Sequence, residues 1–192
     1  MKLHWTGVSK SGGLGAPVAY LPERPKSKRS KVFMITSEDV LRNIPKAVQW
    51  VTKMEQACMK FGQQLSPQGA RDAQAVGVRQ IGLVRVMVLS EIPLPSDPEL
   101  RQFVLQSGLS GIIGIAAGHG IVLKDGHGDR HLIAHELGHV VQYERFGSIE
   151  RFLVAYVPEV VLPPYYPNGP MEREAKRLAN AVWFDGLTLD RH

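Results

Sequence analysis

The sequence predicts an α+β fold, a mostly helical single domain with a small sheet just ahead of its most strongly patterned helix. Two observations carry that prediction. Apolar residues recur at three- and four-residue spacing through a series of segments bounded by caps, prolines or glycines, the mark of helices laying one face on a core. The period shortens only over residues 79–89 and 111–126, where β-branched residues and glycines favour strands. Size gives a third bound. At 192 residues, with 44% apolar and 21% charged residues, the chain is long enough for one sizeable core and short for two. No run approaches the roughly 18 consecutive apolar residues of a membrane-spanning helix.

Taken in order, the first element is an arm. Residues 1–31 hold seven Lys and Arg against Glu23 alone, a net of +6, which leaves −1 for the rest of a chain whose total is +5. The arm is rich in Gly, Pro and Ser (SGGLGAP, LPERPKSKRS), so it reads as basic and flexible, able to meet an anionic partner such as nucleic acid or acidic lipid. The opening MKLHWTGVSKSGGLG has no apolar stretch of the kind that secretory signals carry, and the single Cys58 cannot form an internal disulfide. Both suit a cytoplasmic protein.

Residues 32–192 are expected to form the folded domain. Ser37 and the acidic Glu38 and Asp39 cap a helix through Val40, Leu41 and Ile44, and Pro45 either breaks it or opens the next. Ala47, Val48, Val51, Met54, Cys58 and Phe61 then mark one buried face. Ser66 and Pro67 open a short helix to Val76; RQIGLVRVMVL (79–89) reads as a strand; Asp97 and Pro98 open a helix ending at Gly108. GIIGIAAGHGIVLKDG (111–126) reads as two strands or one bent strand. Asp129–Phe146 is the clearest helix, Ser148 caps another through Tyr156, the proline-rich 158–170 reads as loop, and Pro170 opens the last helix.

Chemistry concentrates in HLIAHELGHVVQY. His135 and His139, four residues apart, sit about 40° apart on a helix and one turn along it, so both imidazoles can meet one ion. Glu136 between them supplies a general base: together this is the His-Glu-x-x-His arrangement of zinc hydrolases. Random placement of the chain's 7 histidines and its glutamates would produce the spacing in roughly 1% of such sequences, so coincidence is a poor account. Gly138, in mid-helix at a cost of about 1 kcal/mol relative to alanine, reads as leaving open space beside the ion.

Two histidines leave a zinc site incomplete; a third protein ligand is needed. In this the sequence resembles the HExxH gluzincins, in which a later helix supplies a glutamate, often as Glu-x-x-Ala-Asp. PMEREAKRLA aligned on Ala175 makes Glu172 the matching ligand, with Glu174 the neighbouring candidate and Lys176 where that family has an aspartate. The order of elements is also similar to small bacterial HExxH proteins without a settled substrate, through HELGHVVQYERFGSIERFL and YPNGPMEREA. The resemblance implies a zincin-like domain with one Zn2+ held by His135, His139 and Glu172, and a peptide or protein substrate bound along the strand before the helix.

The implied reaction is hydrolysis by a metal-activated water with Glu136 as base. Tyr143, Tyr165, Tyr166, His119 and His131 are candidates for stabilising the transition state, although His119 and His127 fall in glycine-rich turns where exposure is expected. Two other readings stand beside the enzyme: a zinc-binding regulatory or interaction module with little turnover, and a nucleic-acid or anionic-partner binder acting through the arm.

Overall fold

The computed structural model describes residues 35–163 and 166–189, with side chains through residue 182; the basic arm of residues 1–31, Tyr165, His4 and His192 lie outside the described residues. Helix α1, Ser37–Phe61, is opened by Thr36 rather than Ser37. The Thr36 hydroxyl accepts from the Asp39 N–H, and the Asp39 carboxylate accepts from the Thr36 N–H at 2.9 Å, a reciprocal box that Ser37 is one residue too late to make. Pro45 neither ends nor restarts the helix. Its ring is on the exposed side, and the carbonyl it leaves without an intrahelical donor belongs to Leu41, which is 69% exposed. The buried stripe of Val40, Ile44, Ala47, Val51, Met54 and Cys58 follows the predicted period, but Phe61 is exposed. There the helix has outrun the core, and Gly62 turns the chain away with its N–H on the Cys58 carbonyl at 2.7 Å.

A two-residue strand, β1 (Gln63–Gln64), follows; it is too short to leave a pattern in the sequence. Helix α2 (Pro67–Val76) is capped by Ser66 as its Ser-Pro start predicts. Residues 81–83 form a 3-10 turn rather than strand, so β2 is confined to Arg85–Leu89. Asp97 caps α3 (Pro98–Ser107), and 111–126 resolves into two strands, β3 (Gly114–Ala117) and β4 (Gly120–Lys124), joined by a tight turn at Gly118-His119. Helix α4 (Arg130–Phe146) starts at the Asp129 cap and ends at Gly147. Helix α5 (Ile149–Val161) runs through Pro158, longer than the prolines predict, because the carbonyl released is that of half-exposed Val154. Helix α6 spans Pro170–Leu189.

The strands form one mixed sheet in the order β1-β2-β4-β3. β2 and β4 run parallel, with Met87 opposite Val122, joined by a crossover that contains α3; β1 and β3 are the antiparallel edges. β4 is buried along almost its whole length, and α1 and α4 pack against the sheet. All the helices contribute to one apolar cluster, in which Leu100, Ile121, Leu123, Leu137 and Val160 are almost fully enclosed. The α+β prediction therefore holds, with edge strand β3 lying beside the motif helix. No helix of the described residues is long and apolar enough to cross a membrane.

Candidate metal centre

Helix α4 has two faces. Leu137 and Val140 anchor one side in the core, and His135 and His139 share the other, their Nε2 atoms 3.2 Å apart. His139 is buried; His135 is partly open.

The third donor arrives on α6. A Cβ placed on Gly138 would lie 2.9 Å from the Ala175 Cα and 3.1 Å from its Cβ, so the glycine is where two helices touch. The open space expected beside an ion is instead filled by α6. This close approach brings Glu172, one turn before Ala175, onto the histidines: Oε2 is 3.4 Å from His135 Nε2 and Oε1 is 3.2 Å from His139 Nε2. One donor atom from each of the three residues can thus lie within 4.8 Å of the other two. A tetrahedral site with bonds of about 2.0–2.1 Å requires donors about 3.3–3.4 Å apart, and two imidazoles with one carboxylate are a donor set that zinc accepts. The residues fit such an ion.

The electrostatics point the same way. Burial would lower the His139 ring, but the Glu172 carboxylate facing it raises it above the ordinary histidine range. Burial would raise Glu172, yet the two imidazoles hold it far below the usual carboxylate range. Negative charge is therefore fixed where positive charge can be met.

Glu174 takes a different part. Its carboxylate accepts hydrogen bonds from the two terminal guanidinium nitrogens of Arg145, each at 2.8 Å, and a third from Gln142 Nε2 at 2.9 Å. Gln142 is fully buried, and the same Nε2 donates to the Met171 carbonyl at 2.9 Å. Two acceptors on one atom identify that atom as the amide nitrogen, so Gln142 Oε1 must be the atom facing His139 Nδ1 at 2.9 Å. A carbonyl oxygen only accepts. His139 consequently carries a proton on Nδ1, which makes Nε2 the ring atom that faces Glu172 and His135 and would meet a cation. Lys176, which stands where the resembled family has an aspartate, is exposed, and Gln142 performs the orienting role from within α4.

Glu136 is 4% exposed and lies against edge strand β3, where a Cβ on Gly114 would come within 2.7 Å of its Oε1. Gly114 is thus the space that the carboxylate occupies. Burial raises Glu136 above the ordinary range, with the two imidazoles acting in the opposite sense. Glu136 and the three donor residues line one cavity, which continues between α1, α3 and α5.

Of the predicted accessory residues, the structure brings Tyr143 and Tyr166 to this cavity. The Tyr143 hydroxyl reaches the Ala116 carbonyl at 3.4 Å and its ring stacks on Phe152. Burial raises the phenols of both tyrosines. His131 pairs with Asn180 at 2.9 Å. His119 is not the exposed turn residue expected: its Nε2 is 3.2 Å from Glu144 Oε1, and its N–H donates to Glu55 at 3.0 Å, tying the β3–β4 turn to α4 and α1. His127 is exposed, as expected. Cys58 is enclosed and burial pushes its thiol up to about 11, in keeping with an inert side chain.

Sequence reasoning placed Tyr156 on a helix and gave it no role. Its hydroxyl donates to Glu172 Oε1, and its ring stacks on Phe152 and meets His139 edge-on with centroids 5.4 Å apart. The available signal was a tyrosine in an apolar helical stretch, since a buried phenol needs an acceptor. Comparison of the chain with protein-family models, curated proteins and solved structures gave no match.

Proposed function

We propose that this protein is a zinc-dependent peptidase, with Zn2+ held by His135, His139 and Glu172 and with Glu136 as general base. The observation that carries the reading is the convergence of two imidazoles and the Glu172 carboxylate, with the buried Glu136 carboxylate on the same cavity wall. Zinc in such a site polarises a carbonyl and makes a neighbouring water more acidic. Each residue then has a separable task. Gln142 keeps the His139 lone pair aimed at the ion, and Tyr156 fixes one oxygen of Glu172. Glu136 takes the proton of the attacking water and returns it to the leaving amine. A base with a raised pKa is suited to both halves of that exchange near neutral pH. Tyr166 keeps its proton and is available on the cavity wall to donate to a developing oxyanion.

Glu136 favours an enzyme over a binding module, because three ligands suffice to hold the metal. The test is Glu136→Gln, which keeps size and shape but removes the base. We expect one zinc per chain by elemental analysis in both proteins, and a loss of peptide hydrolysis of about 10²–10⁴-fold in the variant. Equal cleavage by the two proteins refutes the assignment of Glu136, and wild-type protein that takes up no zinc refutes the site.

A further inference from the structure

We propose that Asn43 makes the α1–α3 side of the cavity a binding site for a small uncharged molecule that has an apolar body and one N–H or O–H donor, such as an indole or a phenol. Asn43 is not among the residues assigned to the metal or to proton transfer, and the proposal does not depend on the peptidase reading.

Asn43 is 4% exposed on the buried face of α1, beside Ile44 and one turn before Ala47, and all three line the cavity. The two ends of its amide are distinguished by what they meet. The atom 2.9 Å from the Asp39 carbonyl must donate, so it is Nδ2, and the other end is Oδ1. That oxygen is buried and has no hydrogen-bond partner, which holds for no other buried side-chain polar atom among the described residues. A buried acceptor in this state is destabilising, and a donor brought to it recovers the loss. The surroundings decide what carries the donor. α1 and α3 place no charged side chain on the cavity, and Ile44, Phe103 and Val104 make this part of its wall apolar. An ammonium or guanidinium group therefore meets no counter-charge on these helices, and its lost hydration goes uncompensated. A single water is also a poor occupant, because an enclosed water needs two to four polar partners and Oδ1 is one. A molecule with one donor on an apolar body satisfies Oδ1, leaves nothing of its own unpaired and covers apolar wall with the rest of its surface.

Matched probes isolate the donor. Indole and indene share one fused-ring shape and differ by the exchange of an N–H for a CH2, and neither depends on a metal for binding. Each is titrated calorimetrically into wild-type protein and into Asn43→Leu, which keeps the size of the side chain and removes its oxygen. We expect both probes to bind wild type. The ratio of the indene to the indole dissociation constant should fall at least about tenfold in the variant, because the indole N–H is then buried without an acceptor. A crystal structure of wild type with indole bound gives a reading that needs no variant: the ring nitrogen should lie about 3 Å from Asn43 Oδ1. A ratio that changes less than threefold in a folded variant, wild-type protein that does not bind indole, or indole bound with its nitrogen turned away from Asn43 overturns the proposal.

Discussion

Gly138→Ala is the substitution that most directly tests how the site is assembled. The added Cβ would lie 2.9 Å from the Ala175 Cα, whereas carbon atoms in contact prefer about 3.5–4.0 Å, so α4 and α6 must separate by roughly 0.6 Å or more. Glu172 is one turn along α6 from that contact and moves with it. Metal–ligand distances hold to within about 0.2 Å, so the displacement is about three times the tolerance. Stability changes less. Overpacking costs about 1–3 kcal/mol, while exchanging glycine for alanine in a helix returns about 1 kcal/mol, leaving a net loss of roughly 0–2 kcal/mol. The expected signature is therefore a protein that still folds cooperatively but binds zinc at least about 10–100-fold more weakly. Competition against a chromophoric chelator measures the affinity, and thermal unfolding with excess chelator measures the fold. Adding Ala175→Gly removes the 3.1 Å contact and should recover part of the affinity. A folded Gly138→Ala protein that binds zinc within twofold of wild type refutes the claim that this helix contact sets the position of Glu172.

Gln142→Ala removes the acceptor of the His139 Nδ1 proton and frees the ring and tautomer, so zinc affinity should fall about 10–100-fold in the same chelator assay. An unchanged affinity would show that α4 alone orients His139. The acid sensitivity of the fold should pass through Glu144. Burial would raise its pKa, but hydrogen bonds from the Arg79 and Gln80 N–H groups and from His119 outweigh burial and hold it below the ordinary range. A depressed carboxylate contributes stability that is present above the unfolded-state pKa of about 4.3 and is lost as pH falls through the folded value. Relative to Glu144→Gln, wild type should be about 1.5–3 kcal/mol more stable at pH 7, and the difference should shrink towards zero in acid; denaturant melts at pH 7 and pH 3 with zinc chelated measure both. A gap that persists unchanged at pH 3 refutes the charge as its origin.

The parts of this protein legible in its sequence are those fixed by local rules. The Ser66, Asp97 and Ser148 caps lie where short polar side chains precede a helical period, because their hydrogen bonds reach only two or three residues along the chain. His135, Glu136 and His139 were legible for the same reason, since one helical turn suffices to place them. The errors arose where the deciding partner was remote. Pro45 and Pro158 are tolerated because Leu41 and Val154 happen to face solvent, which a one-dimensional pattern does not contain. Gly138 read as space for an ion until α6 was seen to fill it, and His119 read as exposed although Glu144 and Glu55 hold it from two helices. The choice between Glu172 and Glu174 is of this kind too. The residues are two positions apart and lie on different sides of α6, and Arg145 and Gln142, both on α4, engage Glu174 and leave Glu172 to the histidines.

Three buried glutamates in and beside α4 separate structural from chemical roles. Glu144 is enclosed but answered by two backbone N–H groups, Arg79 and His119, so its charge fastens the 79–80 segment to α4. Glu172 is answered by two imidazoles and a phenol, the pattern of a ligand held in place for a cation. Glu136 forms no ion pair with Lys or Arg among the described residues, yet it is as enclosed as the others and occupies a space that Gly114 provides on the neighbouring strand. Two imidazoles and the Ala116 N–H offset its burial only in part, and three-ligand metal binding does not require this carboxylate. In the proposed peptidase, this placement on the wall of an open cavity, beside a site suited to a cation, gives Glu136 the task of proton transfer and Glu172 that of holding the metal.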